Sequence, residues 1–239
     1  MMRAMILAAG RGKRMRPLTD HTPKPLLKVG QRPLIDWHLQ NLSSAGFRQI
    51  VVNHAWLGDQ IRAHLGDGGN WNLKIHHSAE EQALETAGGI ARALPWLGDK
   101  PFLVINGDVW TDWPASEALV HAKALQGSSS HQAHLVMVPN PPQHPKGDFL
   151  LRDGLVQDPA SPLSATTRDE PAYTFSGIGI YKPDLFDGVP ADKPVALGPL
   201  LRKAMQSGQI LGSLYAGQWH DIGTKERLEK LDRALRCSG

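Results

Sequence analysis

The chain has 239 residues, 41% of them hydrophobic, which is enough for a large core and excludes a disordered protein. Its 26 basic and 23 acidic residues leave a formal charge of only +3, clustered only at Arg11, Lys13, Arg14 and Arg16, which argues against a nucleic-acid-binding face and for a local anion site. The lone cysteine, Cys237, excludes an internal disulfide or a cysteine metal cluster, and no run approaches the roughly 20 apolar residues of a membrane span, so a cytoplasmic protein free of membrane and nucleic acid is expected.

Ala4 to Ala9 is an unbroken apolar run stopped by Gly10, the pattern of a strand buried on both faces of a parallel sheet. Pro33 then opens an amphipathic helix carrying Leu34, Ile35, Leu39 and Leu42, closed by Gly46. Strands are predicted at Ile50 to Val52, Leu73 to Ile75, Phe102 to Ile105 and Leu135 to Val138, with helices at Leu57 to Leu65 and Ala87 to Leu94. This alternation implies βαβ units up to about residue 138, with ligand sites at the C-terminal ends of the strands.

Beyond residue 138 the pattern changes. Asp153-Gly154 predicts a hairpin within Phe149 to Val156. Tyr173 to Tyr181 reads as a strand interrupted by Gly177 and Gly179. A helix at Leu197 to Ser207 precedes strands at Ile210 to Tyr215 and Gln218 to Ile222, and a last helix starts from Thr224 as N-cap. Pro139 to Pro171 is otherwise expected to be loop. The expected fold is one three-layer Rossmann-like α/β domain with a mostly parallel central sheet over about 1–138 and a small β lobe within about 139–239.

Gly10 and Gly12, directly after the first strand, allow backbone N–H groups to approach a phosphate or base closely. A dinucleotide fingerprint would need glycine where Met15 stands and a helix running through Pro17, and the P-loop spacing is absent as well. Lys24 lies between Pro23 and Pro25, which present it from a stiff segment. Asn106-Gly107-Asp108 ends a central strand, where a carboxylate suits Mg²⁺, and Asp221 closes a later one. Despite eleven histidines there is no helical zinc-ligand pair. His76 and His77 alternate across a strand and cannot easily share a metal.

Leu7 to Thr19, followed by Pro23-Lys24-Pro25, resembles the long signature of the sugar-1-phosphate nucleotidylyltransferases, and the resemblance runs through essentially the whole chain. It implies a nucleotidyltransferase fold, with about 1–138 as the nucleotide-binding half and about 139–239, carrying the small sugar-facing β lobe, as the sugar-binding half. The enzyme it implies joins an NTP to a sugar 1-phosphate and releases pyrophosphate. By that resemblance Ala9, Gly10, Arg11, Gly12 and Gly88 contact the nucleotide, Arg14 binds the triphosphate and Lys24 the phosphates at the reacting centre. Asp108 and Asp221 would hold Mg²⁺, with Asp108 counted among the catalytic residues. Asn106, Gly147, Ser176 and Gly177 would line the sugar pocket, and Asp158 stands where many relatives carry a Glu-Lys-Pro acceptor for sugar hydroxyls.

Within that family Asn53 to Gly58, Leu84 to Thr86, Asn106 to Trp110 and Gly147 to Phe149 most resemble the N-acetylmuramate α-1-phosphate uridylyltransferases. Mannose-1-phosphate guanylyltransferases and glucose-1-phosphate thymidylyltransferases come next. Lys146 and Arg202 are candidates to meet the lactyl carboxylate of N-acetylmuramate. The expected partners are these small substrates, with the chain a monomer or weak homo-oligomer. A nucleotide-sugar sensor or a plain Rossmann binding module would be the non-enzymatic alternatives, opposed by the intact charged residues and by Met15 and Pro17 respectively.

Overall fold

A computed structural model of the chain describes residues 1–161 and 171–237. One large sheet is built from β1 (Ala4–Leu7), β4 (Gln49–His54), β5 (Lys74–Ala79), β6 (Phe102–Asn106), β8 (Ala133–Val138), β9 (Leu150–Arg152), β10 (Leu155–Gln157), β11 (Thr174–Tyr181) and β12 (Ile210–Leu214). Their order across it is β5-β4-β1-β6-β11-β8-β12-β10-β9. Only β10 and β11 run against the rest, so the sheet is mostly parallel.

Alternate residues of each central strand feed opposite layers, as the pleat requires. Ala4, Ile6, Val52, Leu103 and Ile105 meet α2 (Leu34–Ser44), α3 (Gly58–Leu65) and α5 (Glu117–Gln126) on one face. Met5, Val51, Phe102, Val104 and Leu135 meet α4 (Glu85–Leu97) and α6 (Leu197–Gln206) on the other.

A third cluster lies off the sheet, where Met15, Leu27, Leu34, Trp110, Ile222 and Leu231 pack together. It joins the N-terminal loops to a small ribbon of β7 (Val109–Thr111) and β13 (Trp219–Asp221) and to α7 (Lys225–Cys237). The remaining short elements are α1 (Leu18–His21) and the ribbon of β2 (Lys28–Val29) with β3 (Arg32–Pro33).

Two expectations need correcting. Leu135–Val138 does not extend the first βαβ series, because β11 inserts between it and β6. An antiparallel strand can enter there because it arrives from the long excursion after β8 and not through a crossover helix. The chain between Trp110 and Ala133 also contains α5, which the apolar pattern does not announce. Its Leu119 and Val120 are exposed, and its buried side is mainly Ala118 and Leu125.

The hairpin forms as expected, with Asp153 (φ 48) and Gly154 (φ 78) both left-handed, as a two-residue turn of this kind demands. It extends the far edge of the central sheet. Within the proline-rich stretch, residues 162–170 lie outside the described ones.

Candidate active site

A cavity of about 810 Å³ opens at the C-terminal ends of β1 and β6. Its near wall is the chain from Leu7 to Met15, which leaves β1 and bends back through Gly12. Gly12 sits at φ 64, and a Cβ there would stand 2.9 Å from the Thr19 methyl, so only glycine fits the bend. The Thr19 hydroxyl locks the bend by donating to the Gly12 carbonyl at 2.9 Å.

Arg11 lends this wall its backbone, but its side chain is turned elsewhere. The guanidinium lies 3.5 Å over the Trp56 ring and donates to the Thr19 carbonyl and to Asp20. Arg14 remains exposed on the cavity rim.

Lys24 is the buried cation of the site, 7% exposed, with Nζ 2.5 Å from Asp108 Oδ2. Pro23 and Pro25 set a single helical turn that aims it inward. Asp108 follows a glycine that nothing larger could replace, since a Cβ on Gly107 would lie 2.7 Å from the Leu7 carbonyl oxygen. Asp221 is brought alongside by the β7–β13 ribbon, where it pairs with Val109, and the Ile222 amide donates to the Asp108 carbonyl. Arg227 in the first turn of α7 holds Asp221 Oδ2 at 2.5 Å.

Asp108, Asp221 and Asn106 share a recess of about 200 Å³ beside the main cavity. Among the described residues no three His, Cys, Asp or Glu side chains cluster as metal ligands. Two aspartates next to a phosphate-sized cavity nonetheless fit Mg²⁺, which takes one or two carboxylates and fills its octahedron with phosphate oxygens and water. The donor set is hard oxygen only, which disfavours zinc. His76 and His77 do face apart, one stacked on Trp96 and the other bonded to the Gly66 carbonyl.

The far wall departs further from expectation. Asn106 reaches the cavity, and Gly177 (φ 78) lies so close that a Cβ there would be 2.6 Å from Asn106 Nδ2. This is the bulge of β11, and the buried Ser176 hydroxyl serves it by donating to the Val136 carbonyl and accepting from the Ile178 amide. Ser176 and Gly177 border the smaller recess and not the main cavity.

Three further residues stand outside the main lining. Gly147 is a turn residue at φ 66, against Asn140 and Ala172. Gly88 gives its amide to the Val195 carbonyl and leaves no room for a side chain beside the Lys193 carbonyl. Asp158 lies behind α6, where it accepts from Arg202 Nη1 at 2.6 Å. Lys146 is exposed and also outside the lining.

Arg202 itself does line the cavity, 5.1 Å over the Phe149 ring. Asp148 lines it too, accepting from the Phe175 amide at 2.8 Å with His144 Nε2 3.0 Å from its other oxygen. Asn53, at the end of β4, closes the floor. Neither Asp148 nor Asn53 stands out individually in the sequence, although both fall in segments that resemble the family. An Asn or Asp next to the end of a strand is the available signal, and it is a common one.

The Nucleotidyl transferase family model matches residues 3–237. The chain is 51% identical over 230 residues to an N-acetylmuramate alpha-1-phosphate uridylyltransferase of Neisseria meningitidis, covering 96% of each chain. It is 35% identical over 229 residues to one of Caulobacter vibrioides, covering 92% of this chain and 91% of that protein. Among solved structures, HddC from Yersinia pseudotuberculosis, complexed with GMP-PN, superposes with a TM-score of 0.77 at 20% identity over 98% of this chain and all of that one, a likeness of fold. With a model match over nearly its whole length and a relative this similar end to end, the chain belongs to the nucleotidyl transferase family.

Proposed function

We propose that the chain transfers the uridylyl group of UTP to N-acetylmuramate α-1-phosphate, giving UDP-N-acetylmuramate and pyrophosphate, in recycling of the bacterial cell wall. The name of the 51% identical relative supports this pair of substrates. One observation about the cavity supports an acidic sugar over a neutral one. Arg202 lies over Phe149 and gives Nη1 to Asp158 outside the cavity. It lines the same wall as Phe175, Leu197, Leu201 and the Asp148 carboxylate, so a guanidinium stands where a lactyl carboxylate could be met.

The chemistry needs no general base. A phosphate monoester is largely dianionic at neutral pH, its second pKa being about 6, so the sugar phosphate is already a nucleophile. What the site must do is bring two polyanions together in line and offset charge on the departing pyrophosphate. The amides of the Gly10–Gly12 turn would meet the nucleotide, and Arg14 the outer phosphates. Lys24 would stabilise charge as it develops at the α-phosphate. Asp108 and Asp221 would hold Mg²⁺, which would supply Lewis-acid stabilisation of the negative charge on the phosphates.

The test is a matrix of four nucleoside triphosphates against the 1-phosphates of N-acetylmuramate, mannose, glucose and N-acetylglucosamine, read by pyrophosphate release. The highest kcat/KM is expected for UTP with N-acetylmuramate 1-phosphate. If GTP with mannose 1-phosphate is best, the substrate assignment is wrong while nucleotidyl transfer stands.

A further inference from the structure

Glu80 follows β5 and is 6% exposed, a buried carboxylate that among the described residues has no Lys or Arg in hydrogen-bond contact. Such a group is costly unless its oxygens are satisfied. One accepts from Asn53 Nδ2 at 2.7 Å and the other from the Leu84 amide at 2.9 Å. Asn53, 2% exposed, in turn accepts on Oδ1 from the Ala8 amide at 2.9 Å. Because a backbone amide can only donate, the Ala8 contact fixes which end of the Asn53 side chain is oxygen. The direction of every bond then follows: the Ala8 amide acts through Asn53 on one Glu80 oxygen, and the Leu84 amide donates directly to the other.

Ala8 begins the glycine loop, and Leu84 precedes Glu85 and Thr86, which line the same cavity from the other side. Glu85 sits at φ 57, so this second wall is held in a conformation that a free chain would not favour. Gly89 borders the relay closely, since a Cβ there would stand 2.9 Å from Asn53 Nδ2 and 3.0 Å from Glu80 Oε1. The second glycine of the Gly88-Gly89 pair is thereby explained by the relay and not by the ligand.

We propose that Glu80, acting through Asn53, is the positioning residue that sets the spacing between the glycine loop and the Glu85-Thr86 segment, and so the affinity for the nucleoside triphosphate. The inference rests on the reading that the nucleotide occupies this end of the cavity.

The relay can be reversed in a way that a merely structural contact cannot. In Glu80→Gln one acceptor becomes a donor that confronts either the Asn53 amide or the Leu84 amide, and in Asn53→Asp two carboxylates confront each other. In the double variant the new carboxylate at position 53 accepts from both the Ala8 amide and the side-chain amide at position 80. The amide oxygen at position 80 still accepts from Leu84, so every bond is restored with the charge moved from one partner to the other.

The experiment measures kcat and both KM values for the full chain, using the best triphosphate and sugar 1-phosphate of the matrix, together with calorimetric binding of that triphosphate with Mg²⁺ alone. Each single variant is expected to raise KM and Kd for the triphosphate about tenfold or more. KM for the sugar phosphate should stay within about twofold, since only the triphosphate's binding is lost. The double variant is expected to return near the wild-type values, even if a single variant does not fold.

A double variant as poor as the worse single one overturns the inference, as does a folded Glu80→Gln with unchanged triphosphate affinity. If the defect and its rescue fall on the sugar phosphate instead, the relay positions the other substrate, and the assignment of the cavity's nucleotide end is what fails. If UTP is simply not the preferred triphosphate, the substrate reading fails while the relay is still tested with the one that is.

Discussion

Lys24 and Asp108 are 84 residues apart in the chain and 2.5 Å apart in the fold, with the lysine nearly closed off from solvent. A cation already fixed at the reacting centre loses little freedom when charge develops beside it, which is the condition for large transition-state effects. Lys24→Ala is therefore expected to lower kcat by roughly 10²-fold or more with a smaller change in KM, measured by pyrophosphate release. A change confined to KM would reduce Lys24 to uniform binding. Asp108→Asn is expected to remove most turnover in saturating Mg²⁺, because a hard anionic ligand becomes neutral without a change of shape. It is expected to lower the melting temperature as well, because buried Lys24 loses its counter-charge. Unchanged turnover there would displace the metal from this aspartate.

The lysine and the aspartate are each visible in the sequence, one by its flanking prolines and the other by its place at a strand end. Their pairing is not visible, nor is the Glu80–Asn53 relay, because each joins residues that only the sheet brings together. Gly88 shows the reverse case. A glycine there suggests room for a ligand, whereas the Lys193 carbonyl occupies that space.

Among the elements, long apolar strands and well-capped helices are legible to within a few residues. The helix α5 is not, because it docks through small residues and through an unusual contact. His121 on α5 stacks on His134 of β8 with ring centroids 3.6 Å apart, and His134 Nε2 lies 3.0 Å from the Ser213 hydroxyl on β12. Burial, with His121 adding to it, pushes the His134 imidazole down to about 3. In the unfolded chain the same ring takes up a proton near pH 6.5.

The folded state thus holds His134 neutral, so its contribution to stability is intact above about pH 6.5 and is lost as pH falls toward 3. Between pH 7 and pH 4 the loss is on the order of 3 kcal/mol. His134→Leu removes the titration and is expected to flatten the fall of unfolding free energy over that range, as measured by urea denaturation at several pH values. Curves of equal slope for the two proteins would mean that His134 takes up its proton as readily in the fold as in the unfolded chain.

Across the whole molecule, the N-terminal loops and the last helix meet under the charged end of the site. Strand order in the sheet cannot be read from periodicity, which tells each strand which faces are buried but not which neighbour it takes. The third apolar cluster is equally hidden, since its members come from residues 15–34, from Trp110 and from 222–231.

That cluster has a consequence for catalysis. Leu231 of α7 is 2% exposed against Met15, Leu27 and Ile222, and the same helix holds Asp221 through Arg227 and the Gly30 amide through Asp232. The helix therefore fixes Asp221, the carboxylate proposed to hold Mg²⁺ with Asp108, and backs the turn that carries Lys24. Leu231→Ala leaves a cavity in this cluster and is expected to destabilise the chain by about 2–5 kcal/mol in urea denaturation. If α7 only adds stability, the variant assayed well below its melting temperature will keep wild-type kcat. If it holds the site, kcat will fall there too, and the Mg²⁺ concentration needed for half-maximal rate will rise, because Asp221 is no longer held in register with Asp108. The second outcome is expected. Asp108 comes from the end of β6, but Asp221 reaches the recess only at the end of β13, where Trp110 and the adjoining Ile222 belong to this cluster while Val109 and Trp219 tie the ribbon to the main core.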